Sequence, residues 1–357
     1  MSALRHAATI FALGLLFGGC ATVPQEMAWF PAGDEPPERV GWPGPPEPQR
    51  LVYAGELVGE SNFRRAEGAE EGSATRLLRW IVGLGGRRTN VVELVRPQSG
   101  MVDGGGRILV TDAGREGLLV FDEAAGRLLA WNDAGAGLAF RSPVGIAGAA
   151  DGSILVADSE LGYVVRLDAE GRPIGELGRG VLTRPTGLAR DPSNGELYVA
   201  DTAAHDIKVF DDTGSWLRTL GRRGTGPGEF NGPTHLCFAH GRLYVTDTLN
   251  SRVQVLAPDG SVLTSIGQRG LYLGNLVRPK GVVADRDGNV YVIESYYDHL
   301  LVFNASGELL LPIGGSGSGA GQFFLPAGAW TDNGQRLFVA DMFNGRIVVI
   351  DYVGEPG

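Results

Sequence analysis

The amino-acid sequence predicts an all-β fold, a six-bladed β-propeller that an N-terminal strand closes and that carries one short helix. This prediction depends first on a strand pattern that ends in an acidic residue. The pattern recurs six times, ending at Asp112, Asp158, Asp201, Asp247, Glu294 and Asp341. Successive acids lie 46, 43, 46, 47 and 47 residues apart, which leaves room for four short strands with Gly, Asp and Asn turns. Four strands per repeat of this length are typical of a propeller blade. The 56 glycines among 357 residues agree with so many tight turns.

Residues 1–20 are typical of a lipoprotein signal peptide. Arg5 gives a short positive region, and residues 7–17 form an apolar run that is too short to span a bilayer. The next residues, Gly18-Gly19-Cys20, resemble a lipobox, which implies cleavage before Cys20 and attachment of a lipid to it. An ordinary secretory peptide cut nearby is the alternative. Since Ala21 stands where an Asp would retain the protein at the inner membrane, the resemblance implies the outer membrane, on its periplasmic or its cell-surface side.

Residues 21–49 are predicted to be a Pro-rich tether. They contain eight prolines and show no apolar periodicity. Such a segment favours extended polyproline II, and we expect it to hold the body up to roughly 90 Å from the membrane.

Residues 50–59 are predicted to be the closing strand. The last repeat has room for only three strands before Gly357, and residues 50–59 resemble the fourth strands of other repeats. We therefore expect them to complete the last blade and to remove an exposed edge.

Residues 60–95 fit no blade and are predicted to be a helical insertion. A short helix is expected over residues 73–82, with Ser73 as its N-cap and Leu77, Trp80 and Ile81 on one face. Nearby arginines leave two interpretations open. The helix either packs across the propeller or docks on anionic lipid or an acidic partner.

Residues 96–357 contain the six blades. A proline and a glycine open a blade, as at Pro185 and Gly187, and strands such as Leu-Tyr-Val-Ala-Asp (197–201) and Arg-Val-Gln-Val (252–255) follow. With linkers such as Gly-Thr-Gly-Pro-Gly-Glu-Phe (224–230), this pattern resembles NHL repeats. The resemblance implies an NHL-type propeller, here on a lipoprotein. It implies little about activity, since one propeller scaffold hosts many functions.

The charge of the chain argues against nucleic acid as a partner. The formal net charge is −10, with 31 basic and 41 acidic residues, and loss of Arg5 with the signal peptide makes it −11. Sequence-independent binding to nucleic acid needs a basic surface. The expected partners are therefore the lipid membrane, through Cys20, and a protein of the cell envelope.

The candidate binding residues lie on loops that should share one face of the propeller. This loop face consists of the loops between the second and third strands of each blade and of the linkers between blades. Rigid scaffolds usually carry binding residues on such loops, and Tyr and Arg are frequent anchors. The candidates are Arg184, Arg222, His235, Arg278, Tyr296, Tyr297 and Phe343.

Catalysis is the alternative to binding. The lyase and lactonase propellers that share this kind of fold use metals, and here His235 with Asp247 or Glu294 would be the candidate ligands. One histidine does not make the three-ligand set of a catalytic zinc, and we interpret the ring of acids as turn caps. No cofactor is expected. The sequence thus predicts a non-catalytic, lipid-anchored propeller that binds a protein or a small molecule, with a metal-dependent lyase or hydrolase as the alternative.

Overall fold

Six antiparallel sheets form a ring in the computed structural model, which describes residues 25–33, 39–65, 91–332 and 334–353. The first strand of each sheet contacts the first strands of its two neighbours, and the first and sixth sheets also meet in this way. These first strands therefore surround the axis of a closed six-bladed propeller, as the sequence predicts.

The first five blades each have four strands in chain order, from the axis outward. In blade 1 these are β5 (Pro97–Val102), β6 (Ile108–Asp112), β7 (Gly117–Asp122) and β8 (Arg127–Trp131). A small hairpin, β9 (Asp133–Gly135) and β10 (Leu138–Ala139), leads to blade 2. Blade 2 has β11 (Pro143–Gly148), β12 (Ile154–Asp158), β13 (Tyr163–Leu167) and β14 (Pro173–Leu177). Blade 3 has β15 (Pro185–Arg190), β16 (Leu197–Asp201), β17 (Asp206–Phe210) and β18 (Trp216–Leu220). Blade 4 has β19 (Pro233–Ala239), β20 (Arg242–Asp247), β21 (Arg252–Leu256) and β22 (Val262–Ile266). Blade 5 has β23 (Pro279–Ala284), β24 (Val290–Glu294), β25 (His299–Phe303) and β26 (Leu309–Gly314).

The sixth blade joins the two ends of the chain. Its own strands are β27 (Ala329–Asp332), β28 (Arg336–Asp341) and β29 (Arg346–Tyr352). Strand β3 (Leu51–Leu57) pairs antiparallel with β29, and β2 (Gly41–Trp42) adds a short fifth strand outside it. Alternate residues of β3 are buried, as expected for a strand with one face in the core. The predicted closing strand is confirmed.

The N-terminal segment differs from the expected tether. Strand β1 (Gln25–Met27) pairs with β4 (Phe63–Arg65), and β2 extends the sixth blade. Trp29 and Trp42 pack against clusters of buried residues. The sequence interpretation weighted the prolines of this segment and overlooked its aromatic residues, whose burial is favourable by roughly 25 cal/mol per Å² of apolar surface.

Helical structure is scarce among the described residues, which contain two 3₁₀ turns, Glu60–Asn62 and Thr248–Asn250. The predicted signal peptide and the predicted helix at 73–82 lie outside the described residues. No helix of the described part is long and apolar enough to cross a membrane.

The core is divided among the interfaces between blades. Within the described residues, one hydrophobic cluster lies between each pair of neighbouring blades, including blades 6 and 1. Each blade buries most of its apolar surface against its neighbours, so the closed ring is the stable unit.

Candidate functional site

The six acids that recur at the ends of the second strands cap the loops that enter their own blades. In blade 1, the carboxylate of Asp112 accepts hydrogen bonds from the backbone amides of Val95 and Arg96, at 2.6 and 2.9 Å. Asp158, Asp201 and Glu294 accept equivalent pairs of amide bonds. These bonds agree with the interpretation of the acids as turn caps.

Blades 4 and 6 add a second layer of bonding, which we call the arginine lock. In blade 4, Arg252 donates through Nε to Asp247, at 2.9 Å. Its Nη2 donates to the carbonyl oxygens of Gly226 and Glu229 in the preceding linker, at 2.8 and 2.9 Å. Asn250 donates to the carbonyl oxygen of Gly224 and to Asp247. The lock therefore fixes the linker against the blade.

In blade 6 the same lock recurs with the same geometry. Arg346 donates to Asp341 at 2.9 Å and to the carbonyl oxygens of Gly319 and Gln322 at 3.1 and 3.0 Å. Arg346 also pairs with Glu56 of the closing strand, at 2.5 Å. Asn344 donates the hydrogen bonds that Asn250 donates in blade 4, to a linker carbonyl oxygen and to the acid of its blade.

Blade 5 lacks the arginine lock. Glu294 pairs with His299 in the strand ladder, as Asp247 pairs with Arg252. Tyr297 stands where blade 4 has Asn250. The His299 side chain is shorter than that of arginine and donates through Nδ1 to the carbonyl oxygen of Tyr297, at 2.5 Å.

The missing lock leaves a cavity of about 230 Å³ between blade 5 and its linker. We call it the blade-5 pocket. It is lined by residues 271–275, Glu294, Tyr297, His299 and Leu301. The pocket opens where the linker is most apolar. Leu271, Tyr272 and Leu273 are 80%, 85% and 61% exposed. The equivalent residues are Thr-Gly-Pro (225–227) and Ser-Gly-Ala (318–320) in the linkers to blades 4 and 6.

The structure places some of the predicted binding residues together and separates others. Tyr297 lines the blade-5 pocket, and Tyr296 packs edge-on against it with the ring centroids 4.9 Å apart. Phe343 pairs instead with Phe324 of blade 6, at 5.6 Å. The three predicted arginines, Arg184, Arg222 and Arg278, are all exposed. Arg222 forms an ion pair with Glu229 of its own linker.

His235 lies apart from the loops, on an innermost strand. It is buried, and neither ring nitrogen has a hydrogen-bond partner among the described residues. Burial, and then the positive charge of Lys280 on the next inner strand, lower the pKa of His235 to about 3. The imidazole is therefore neutral at neutral pH.

The alternative metal set of His235, Asp247 and Glu294 is not assembled. Asp247 accepts hydrogen bonds from Arg252 and from the amide of Asn231, and Glu294 caps its own loop. No group of three or more His, Cys, Asp or Glu side chains in the described residues could hold a metal ion.

The sequence analysis did not identify the linker residues of the pocket, which include Leu271 and Leu273, or His299 of strand β25. A signal for them exists in the repeat. Aligning the three long linkers shows the unusual apolar residues, and aligning the third strands shows His299 where blades 4 and 6 have arginine.

Comparisons with known proteins agree with the architecture. A family model for the NHL repeat matches residues 182–210, and a model described as a 6-bladed beta-propeller matches residues 275–355. Among curated proteins, no relative matches the chain.

Several solved structures are similar. A virginiamycin B lyase from Staphylococcus aureus is 15% identical, with 72% of this chain and 96% of that chain covered and a TM-score of 0.54. A gluconolactonase from Xanthomonas campestris is 18% identical, with 72% and 86% covered and a TM-score of 0.57. An auxiliary nutrient binding protein from Bacteroides ovatus is 13% identical, with 72% and 69% covered and a TM-score of 0.56.

At these identities the similarity concerns the fold alone, and the three proteins have different activities by name. The recurring strand pattern, the matched repeat and the closed ring of six blades together make this chain an NHL-type six-bladed β-propeller.

Proposed function

We propose that this propeller is a non-catalytic binding protein of the outer membrane, anchored by a lipid on Cys20. It captures a partner from the cell envelope through its loop face, around the blade-5 pocket. The observation that carries the proposal is the exposed apolar run Leu271-Tyr272-Leu273 beside that pocket.

Exposed apolar residues of this kind favour a role in binding. The exposure of adjacent apolar side chains to water is unfavourable, and contiguous exposed apolar patches usually mark interaction sites. The linkers to blades 4 and 6 reach the same fold with small and polar residues at these positions, so the fold does not require the apolar ones. Tyr272, Tyr296 and Tyr297 add aromatic area of the type that dominates binding hot spots.

A metal-dependent lyase or hydrolase remains the alternative function, and the lyase and lactonase among the similar structures are its motivation. The geometry favours it less, because Asp247 and Glu294 already accept hydrogen bonds from backbone amides and, in the case of Asp247, from Arg252. Stoichiometric metal in the purified protein, with turnover that His235→Ala abolishes, would favour the enzyme.

The test of binding uses a photo-crosslinking residue at position 272 in cells to identify the partner, followed by measurement of its Kd. Leu271→Ala and Leu273→Ala are each expected to weaken binding by more than about 1 kcal/mol, or roughly fivefold. Leu263→Ala is the matched control, since Leu263 is also exposed but lies on outer strand β22 of blade 4. Equal losses in all three variants would contradict the proposed site.

A further inference from the structure

We propose that the blade-5 pocket receives an arginine side chain from a protein partner, in the place that blades 4 and 6 fill with their own arginine. This inference rests on the proposed function, and it adds the chemistry by which the partner is recognised.

The three positions are structurally equivalent. Each of the three long linkers makes the same parallel bridge, at Arg223 and Phe230, at Arg269 and Leu276, and at Ser316 and Phe323. The acid at the end of the second strand faces the first residue of the third strand in all three ladders. The space left by His299 is thus the space that Arg252 and Arg346 occupy in their own blades.

The carbonyl acceptors of the lock persist in blade 5. Tyr272 and Asn275 correspond to Gly226 and Glu229, whose carbonyl oxygens both accept from Arg252. Tyr272 accepts a turn bond from the amide of Asn275, as Gly226 does from Glu229. No side chain of the described residues donates to either carbonyl in blade 5.

The acid of the lock also persists. Glu294 lines the pocket and is 1% exposed. Its Oε1 accepts from the amides of Arg278 and Tyr296 and its Oε2 from those of Val277 and Arg278, so the carboxylate supplies the slot mainly with negative charge. The pocket therefore presents a buried negative charge and two carbonyl oxygens without the guanidinium that lies beside them elsewhere.

The walls of the pocket are aromatic and apolar. Tyr272 and Tyr297 offer aromatic faces, and Leu301 offers apolar surface to the stem of a long side chain. Guanidinium groups stack well on aromatic rings, and this chain already does so in blade 2, where Arg179 lies 3.9 Å from the ring centroid of Tyr163. The net charge of −10 also favours a cationic partner.

These features favour arginine over lysine. Several acceptors spread around the slot match the planar fork of five N–H donors on a guanidinium, whereas an ammonium is a compact and strongly hydrated charge.

The test titrates the full-length protein with three blocked tripeptides, acetyl-Gly-X-Gly-amide, in which X is arginine, lysine or citrulline. Citrulline has nearly the shape of arginine but no charge. The arginine peptide is expected to bind about tenfold more tightly than the citrulline peptide and several-fold more tightly than the lysine peptide. Equal binding of the three peptides, or no binding of the arginine peptide, would overturn the inference.

A double variant provides the matched control. Tyr297→Asn with His299→Arg rebuilds the lock of blades 4 and 6 within blade 5. It is expected to weaken binding of the arginine peptide by about tenfold or more and to raise the unfolding temperature, because the slot is then filled from within. Undiminished peptide binding by the folded double variant would place the arginine elsewhere. The comparison of peptides on the unaltered protein stands even where this variant does not fold.

The two proposals can fail separately. Peptides that bind equally, together with partner capture that still depends on Leu271 and Leu273, would overturn the arginine slot and leave the binding face. If the pocket selects arginine but the partner binds independently of these leucines, the arginine slot is supported and the proposed binding face is wrong.

Discussion

His235 is the residue at which this propeller departs most clearly from its own repeat. Blades 2, 3, 5 and 6 have Gly145, Gly187, Gly281 and Gly328 at the equivalent point of the innermost strand. At Gly145 a Cβ atom would lie 2.1 Å from a backbone oxygen of the next blade, which explains the glycine there. Blade 4 instead buries an imidazole without hydrogen-bond partners among the described residues, and an unsatisfied buried polar group typically costs about 1–3 kcal/mol.

The buried imidazole predicts a pH-dependent loss of stability. The pKa of His235 falls from 6.5 to about 3 in the folded protein, so below pH 6.5 the unfolded chain binds a proton that the folded protein does not. The titration of this group leaves the stability of the native protein unchanged above pH 6.5 and lowers it as the pH falls towards 3, by at most about 1.4 kcal/mol per pH unit.

Urea unfolding of the native protein and of His235→Gly from pH 7.5 to 4.5 measures this effect. Relative to the variant, the native protein should lose stability as the pH falls. His240→Gly is the control, since His240 is exposed on a turn with a φ of 52°, which glycine adopts readily. A difference between native protein and His235→Gly that does not change with pH would contradict the prediction.

At the scale of residues, the sequence predicted part of the candidate site. Tyr296 and Tyr297 were identified because aromatic residues on propeller loops are frequent binding anchors. His299 was not identified, because it is informative only as the residue that replaces the arginine of blades 4 and 6. Only the contacts of Arg252 and Arg346 show that a lock exists at this position and that blade 5 lacks it.

Among the elements, closing strand β3 carries the largest share of the ring's closure. Leu51, Tyr53 and Leu57 bury their side chains in the core, and Glu56 pairs with buried Arg346. Without β3, strand β29 becomes an exposed edge, and Arg346 loses one of its two carboxylate partners.

Two truncations should therefore differ in effect. A mature chain that begins at residue 58 should unfold at a temperature lower by more than about 10 °C, because several buried apolar side chains are lost. A chain that begins at residue 50 loses β1 and β2 but keeps β3, and should show a smaller yet measurable decrease. Calorimetry compares both with the mature protein. Equal decreases would show that β3 has no special part in closure.

The elements also show where sequence reasoning succeeds and where it stops. The blade strands repeat six times, so each copy supports the assignment of the others, and β3 followed from the three-strand last blade. The pairing of β1 with β4 joins residues near 26 to residues near 64. This contact occurs once, so no repeating pattern in the sequence predicts it.

The attachment proposed at Cys20 is a property of the whole molecule. Changing Cys20→Ser should release the protein from the membrane fraction, because no acyl chain would then be attached. Fractionation with a high-salt wash measures the release. A Cys20→Ala variant should behave in the same way, and either variant in the washed membrane pellet would contradict a lipid anchor.

The pairing of β1 with β4 has a consequence for the height of the protein above its membrane. Gln25, the first residue of β1, follows Cys20 by only five residues, and five residues span at most about 18 Å when fully extended. With a lipid on Cys20, the propeller would therefore be held close to the bilayer. The edge beside β8 of blade 1 would be nearest the bilayer, since β1 contacts β8. Blade 4 lies across the ring from blade 1, and the blade-5 pocket lies at the linker between blades 4 and 5. The pocket would therefore be turned away from the point of attachment. A partner that reaches the pocket would therefore approach the ring from the side away from blade 1.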